Sequence, residues 1–392
     1  MAPSQRVAAA CLACLLAAVC CPAVLAADAT GTSVMGTHTF GSDVSGYLDM
    51  SQDVCDLIAA VDAKDWNSAE AIYKNGQNSL RSDGTTRKLQ EWALDGAVDE
   101  SHWGLYSAYF KNDTAWLDTF IGAGFAGVAP WTDAAARAQV VKKGVQSNLL
   151  VAYMFHEVDE AHEELEEGLT DPKTGAPHLV DEAAAIYFGT TCPTGSVADV
   201  ANKRATSFGT LTTGPDGVCT AATNVAVAKA MAAMQAAAAA GDDAAYEAAS
   251  KDLEKAIVTI FVQATLTYAA ELDELVGAGN DTAAEEAEGV AFFRTIAPLV
   301  AQVAADDAET IMTALMVPAK GVQDKVETAF AATLEAYDIT AADLGTLGAT
   351  SSCELATTTA AAASPPPPSA AGRLAGAAVA AAAAAAGAVL LL

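Results

Sequence analysis

The sequence predicts an all-α protein, a helical bundle built from an internal duplication, with a disulfide-stapled loop between the halves. Three observations carry this. Apolar residues recur at helical spacing through most of the chain, and no segment alternates as a half-buried strand must. Residues 224–240 are nearly all alanine with a few Val, Met and Lys, a composition of very high helix propensity. Two stretches also echo each other. Glu163-Glu164-Leu165 aligns with Asp273-Glu274-Leu275 at an offset of 110, and Glu182-x-x-Ala185-Ile186-Tyr187 with Glu288-x-x-Ala291-Phe292-Phe293 at an offset of 106.

Taken in order, residues 1–26 read as a signal peptide. Arg6 precedes an apolar run from Val7, and Val24-Leu25-Ala26 supplies small residues for cleavage. Residues 27–46 form a Gly/Ser/Thr-rich lead without periodicity, expected to be extended or disordered. The first helical half covers 47–190. Leu48, Cys55, Ile58 and Val61 mark one helix face, and 66–73 a second helix closed by Asn75-Gly76. Segments 89–98 and 103–109 continue the pattern, and the glycine-dotted 116–127 ends before Pro130. Thr132-Asp133 is placed to cap a long helix running to Glu167. A turn at 171–175 leads to a helix over 178–189.

Residues 191–223 turn to Gly, Thr, Ser and Pro, and read as a disulfide-closed loop. The second half, 224–350, holds helices over 224–240, 246–275, 283–294, 296–317 and 322–337. A Ser/Thr/Pro/Ala linker, 351–373, and an uncharged alanine-rich tail, 374–392, follow. Small residues Ala361-Ala362-Ala363, a polar spacer and a hydrophobic end are the order of a GPI-attachment signal, favoured here over a tail-anchoring transmembrane helix.

Composition narrows the function classes. With 20 Lys and Arg against 49 Asp and Glu, the formal charge is −29. No basic patch exists for nucleic acid, and this field gathers cations instead. Four of the eight cysteines fall in the signal peptide. The other four, in an exported chain, favour disulfides over thiolate metal sites. Of the three pairings, Cys192–Cys219, closing a loop, and Cys55–Cys353, tying the ends, are preferred. Sequons at Asn112 and Asn280 fit glycosylation in the same compartment. The expected location is the periplasm or cell surface, held to the outer leaflet of the plasma membrane by a GPI anchor.

The chemistry concentrates in VAYMFHEVDEAHEELEE, residues 151–167. Met154, Val158, Ala161 and Leu165 make an apolar stripe. Opposite it, Tyr153, Glu157, Glu160 and Glu164 form one polar row, and His156, Glu160, Glu163 and Glu167 another. Like charges at this spacing destabilise a helix, so the row invites a cation. Carboxylate, phenolate and imidazole suit a small, hard ion such as Fe(III) better than copper(I) or structural zinc. His162 adds a further imidazole. His178, Asp181, Glu182 and Tyr187 converge on the same ion if the two helices pack antiparallel across the 171–175 turn.

The plainer alternative is an acidic helix solvated on its outer face, with Asp181 and Glu182 merely complementing a helix N-terminus. In the echo, Tyr268, Glu271, Asp273, Glu274 and Glu288 occupy corresponding ground without histidine. The five tryptophans, all in the first half, read as core. His-Glu-x-x-His fails, because Glu160 stands four residues after His156. No Ser/His/Asp, Cys/His or phosphate-loop pattern occurs, so an enzyme is not expected.

Cys55 in a DxxxDVCxLI context, WNSAEAIYKNG, FHEVDEAHEEL, HLVDEAAAIYFG and AEGVAFFRTIAP together resemble the algal iron-assimilating family. That family is also described as low-iron-inducible or high-CO2-inducible periplasmic protein, and is related to the phytotransferrins. The resemblance spans roughly residues 47–337. It implies a non-enzymatic protein that captures ferric iron for uptake, with Glu157/Glu160 and Glu163/Glu166 as Glu-x-x-Glu ligands and carbonate as a possible co-ligand. A membrane ferrireductase or iron transporter would be the partner. A calcium-binding or structural cell-wall protein responding to CO2 is the competing expectation.

Overall fold

The computed structural model describes residues 28–356; the stretches read above as a signal peptide, a GPI-attachment signal and its hydrophobic tail lie outside the described residues. The fold is all-α, with two short hairpins as its β structure among those residues. Helices α1 (Ser45–Asp62), α2 (Trp66–Asn75), α3 (Leu89–Trp92), α4 (Ser101–Tyr109) and α5 (Trp116–Ala126) precede α6 (Ala134–Lys143). Asp133 caps α6, its carboxylate accepting from the amides of Ala135 and Ala136. A π-helical segment, Gly144–Leu149, joins α6 without a break to α7 (Leu150–Glu166). The expected long helix therefore exists, with one wide turn that rotates α7 relative to α6. Gly144 sits where a Cβ would come 2.9 Å from Ile121.

The 171–175 turn returns the chain into α8 (Ala176–Phe188), which opens with Pro177. Glu157 meets Glu182, and Glu164 meets His178, so α7 and α8 pack antiparallel. In the second half α10 (Ala222–Ala240) leads to α11 (Asp243–Ala278) and α12 (Ala283–Val303). Tyr268 stacks on Phe292 and Phe261 packs against it at a tilt, and Gly289 lies against Tyr268, so α11 and α12 repeat the antiparallel arrangement. Helices α13 (Ala305–Met316), α14 (Val322–Ala329), α15 (Ala331–Ala336) and α16 (Ala341–Leu344) complete the bundle around one continuous apolar core.

Four expectations need correction. The lead is ordered: β1 (Ser33–Val34) pairs with β2 (His38–Thr39) across a Met35-Gly36 turn with φ of 54° and 62°. His38 and Phe40 are buried, which anchors a segment whose sequence shows no period. The 191–223 segment holds a helix, α9 (Val197–Phe208), capped by Ser196, and a hairpin of β3 (Leu211–Thr213) and β4 (Cys219–Ala221). The helix expected to stop at Arg294 runs through Pro298 and breaks at Ala304, where φ/ψ of −150°/93° is extended.

The fourth correction concerns the disulfides, which are Cys55–Cys192 and Cys219–Cys353. Helix α1 packs on the turn after α8, where Gly195 is close enough that a Cβ would lie 3.0 Å from the Cys55 sulfur. Helix α9 separates Cys192 from Cys219. The C-terminal strand of chain instead lies on β3, with Ser351 and Ser352 hydrogen-bonded to Leu211. No disulfide closes the loop between the halves.

Candidate metal centre

The apolar stripe of α7 is buried as the periodicity requires, from Met154 through Leu165. The polar rows divide instead of facing solvent uniformly. Tyr153, His156 and Glu157 are buried, Glu160 and Glu164 are intermediate, and Glu163, Glu166 and Glu167 are exposed. Helix α8 covers the buried part and contributes Glu182, so two carboxylates meet in the interior at 2% and 7% exposure. Glu157 lies against Glu182 and Tyr153, and Tyr47 from the start of α1 lies against Glu182. Burial, then the charge of Glu182, holds the Glu157 carboxyl protonated well above the usual range.

Both phenols are fixed by their surroundings. Trp92 stacks on Tyr153 at 4.3 Å and on Tyr47 at 5.7 Å, and the Arg87 guanidinium lies 4.4 Å from the Tyr47 ring centroid. The Tyr153 hydroxyl also reaches Asp95, 3.4 Å away. Burial, with nearby carboxylates, pushes both phenols far above their ordinary value. Among the described residues no lysine or arginine forms an ion pair with Glu157 or Glu182; the group that can balance charge at the pair is the His178 imidazole, 3.0 Å from Glu182. Four oxygen donors (two phenols, two carboxyls) held rigidly in the interior are the hard donor set that a small trivalent cation takes.

The histidines flank this set and do not offer it a free nitrogen. His156 Nδ1 is 2.9 Å from Glu100 and Nε2 is 3.6 Å from Glu160. Burial alone would lower its pKa, but the Glu100 hydrogen bond and the surrounding carboxylates raise it overall. His178 Nδ1 meets the Ser42 hydroxyl at 2.8 Å and Nε2 meets Glu182 at 3.0 Å; that hydrogen bond to Glu182 is the main reason its pKa rises. Glu160 and Glu164 carry carboxyls raised chiefly by burial, forming a graded acidic path from Glu157 toward the exposed Glu167.

Two expected ligands belong elsewhere. Asp181 is fully buried and accepts hydrogen bonds from His38, the Gly41 and Ser42 amides, the Ser42 hydroxyl and Gln235. Its lone pairs are all taken, and its role is to pin the N-terminal lead onto α8. The Tyr187 hydroxyl donates to Asn224 at 2.6 Å, deep in the α8–α10 packing. Conversely Tyr47, Asp95 and Glu100 join the centre from α1 and the α3–α4 connection. They lie outside any metal-ligand spacing, and only long-range packing brings them in.

The equivalent centre between α11 and α12 is wired differently. Glu288 accepts from Tyr268 and sits 3.1 Å from the Lys143 ammonium, and Arg204 adds a second cation close by. Lys143 holds the Glu288 carboxyl below its usual range despite burial. Glu271 is pushed up to about 7, first by burial and then by Glu288. Asp273 accepts from the Gly321 amide, and Glu274 is exposed. The second half thus sets a lysine and an arginine against its carboxylate, where the first sets the His178 imidazole against Glu182.

The fold and the centre define a helical protein with an oxygen-rich cluster of carboxyls and phenols packed between its helices. Residues 10–347 match the family model described as Fea1, low iron-inducible periplasmic protein, and the chain belongs to this family. No curated protein and no solved structure matches the chain. Among the described residues no helix is long and apolar enough to cross a membrane.

Proposed function

We propose that this chain captures one ferric ion for uptake, without catalysing a reaction, and that Tyr47, Tyr153, Glu157 and Glu182 hold it. The observation that carries the reading is the buried Glu157–Glu182 pair, in which Glu157 keeps its proton well above the usual carboxylate range and which is paired with no lysine or arginine. Iron takes the place of that proton and of the phenolic protons, so binding releases protons and relieves the repulsion of the cluster. Four protein oxygens leave two positions of an octahedron for water or carbonate. His156, His178, Glu160 and Glu164 tune and feed the centre from outside the donor set. Calcium fits less well, since it takes six to eight oxygens, often carbonyls and waters, in flexible loops.

The family description supports a periplasmic setting under iron limitation. Signal-peptide cleavage after Ala26, a GPI anchor and glycans at the exposed Asn112 and Asn280 complete the reading. A membrane ferrireductase or iron transporter would receive the ion. Ferric titration of the secreted chain, with and without bicarbonate, tests it. A visible tyrosinate-to-iron charge-transfer band at one equivalent is expected, weakened in Tyr153→Phe and in Tyr47→Phe. A band undiminished in both variants would move iron away from this centre.

A further inference from the structure

The acids of α7 that face α8 account for one side of that helix. His162 is five residues beyond Glu157, about 140° around the helix, and faces the first turns of α11. Its Nε2 lies 2.6 Å from Asp243, and its ring stacks on Tyr246 with centroids 5.4 Å apart and planes 8° from parallel. Tyr246 is itself fixed, buried and donating to the Val158 carbonyl at 2.8 Å. Glu247 follows Asp243 by one turn of α11. One ligand atom from each of His162, Asp243 and Glu247 lies within 4.8 Å of the other two. His162 and Glu247 line one side of a cleft of about 190 Å³ whose other walls include His102, Asp159 and Glu254.

We propose that His162, Asp243 and Glu247 form a second metal site, separate from the carboxylate–phenol centre, for a divalent cation of the zinc type. One imidazole and two carboxylates select a borderline first-row ion over calcium or magnesium, and the site lacks the phenolate that favours Fe(III). Stacking on a fixed tyrosine holds the imidazole in place before any ion arrives, as outer-shell contacts do at metal sites. The cleft side stays open, leaving a position for water or a small ligand. The competing partner of Glu247 is Lys251, 3.8 Å away and 74% exposed, a surface pair that contributes little. Because α7 lies in the first half and α11 in the second, an ion bound here links the two.

The test is calorimetric titration of the iron-free chain with Zn²⁺, with Co²⁺ absorption as a second readout. One Zn²⁺ per chain is expected. His162→Ala and Glu247→Gln should each weaken it at least tenfold and remove the visible Co²⁺ band, while Glu157→Gln leaves both intact. His162 is partly exposed and Glu247 exposed, and unchanged circular dichroism confirms that the variants fold. Absence of Zn²⁺ binding, unchanged affinity in both variants, or loss of Zn²⁺ in Glu157→Gln overturns the proposal. Failure of ferric binding would leave this result untouched, because neither Zn²⁺ nor the two ligand variants, His162→Ala and Glu247→Gln, involve that centre.

Discussion

Glu157 on α7 and Glu182 on α8 face each other in the interior of the bundle, at 2% and 7% exposure. Two carboxyls buried against each other are a costly arrangement for a merely structural contact, and the pair has a definite consequence for stability. Glu157 has a folded pKa raised above its unfolded value, so its contribution favours the fold at low pH and is lost as pH rises past the unfolded carboxylate value. Glu157→Gln keeps the shape of the side chain without the charge. The iron-free variant should equal wild type near pH 4 and exceed it increasingly toward neutrality, by about 1–3 kcal/mol. Thermal unfolding across pH checks this, and a gap that shrinks with rising pH would contradict it.

Acidification should release iron. Iron binds the deprotonated centre, so protons compete with it, and each proton displaced costs about tenfold in affinity per pH unit. Glu157, Glu160 and both phenols are all raised, so the loss begins above the ordinary carboxylate range. Ferric affinity measured from pH 7 to pH 5 should fall by more than tenfold per unit. A flat profile would place the ion on groups that do not titrate there.

Only the first half should bind iron. Lys143 already neutralises Glu288, so one equivalent per chain is expected, and Glu288→Gln should leave ferric affinity unchanged. Lys143→Met strands a buried carboxylate and should destabilise the fold by about 3–5 kcal/mol. Two equivalents in wild type would show that Lys143 yields its place to a metal.

Asp181 separates structure from ligation. Asp181→Asn loses acceptors for the lead and should lower stability by about 1–3 kcal/mol, with ferric affinity within twofold of wild type. Chemical denaturation and titration of the same sample decide it, and a large loss of affinity would return Asp181 to the donor set.

Peptide mapping under non-reducing conditions should recover Cys55 with Cys192 and Cys219 with Cys353. Each bond spans more than 130 residues of sequence, so replacing Cys55 and Cys192 by serine should cost about 2–5 kcal/mol. Recovery of a Cys192–Cys219 peptide would reject this topology.

The helical periodicity made most of this fold readable in advance, including the cap at Asp133 and the antiparallel return through 171–175 that brings Glu182 to Glu157. Spacing along one helix could not say which acids are buried. Glu157 and Glu163 occupy similar positions in their rows, yet α8 covers one and solvent the other. Tyr47 and Trp92 reach the centre from helices distant in sequence, a matter of tertiary packing that no local pattern encodes. Asp181 looked like a ligand because its spacing from His178 is right; its lone pairs are taken by a segment whose order the glycine-rich composition concealed.

The most direct test is ferric titration of Glu157→Gln beside wild type at neutral pH, followed by the tyrosinate charge-transfer band. The centre described here predicts one equivalent in wild type and at least a hundredfold weaker binding with loss of the band in the variant. Equal affinity and an equal band in both proteins would contradict it.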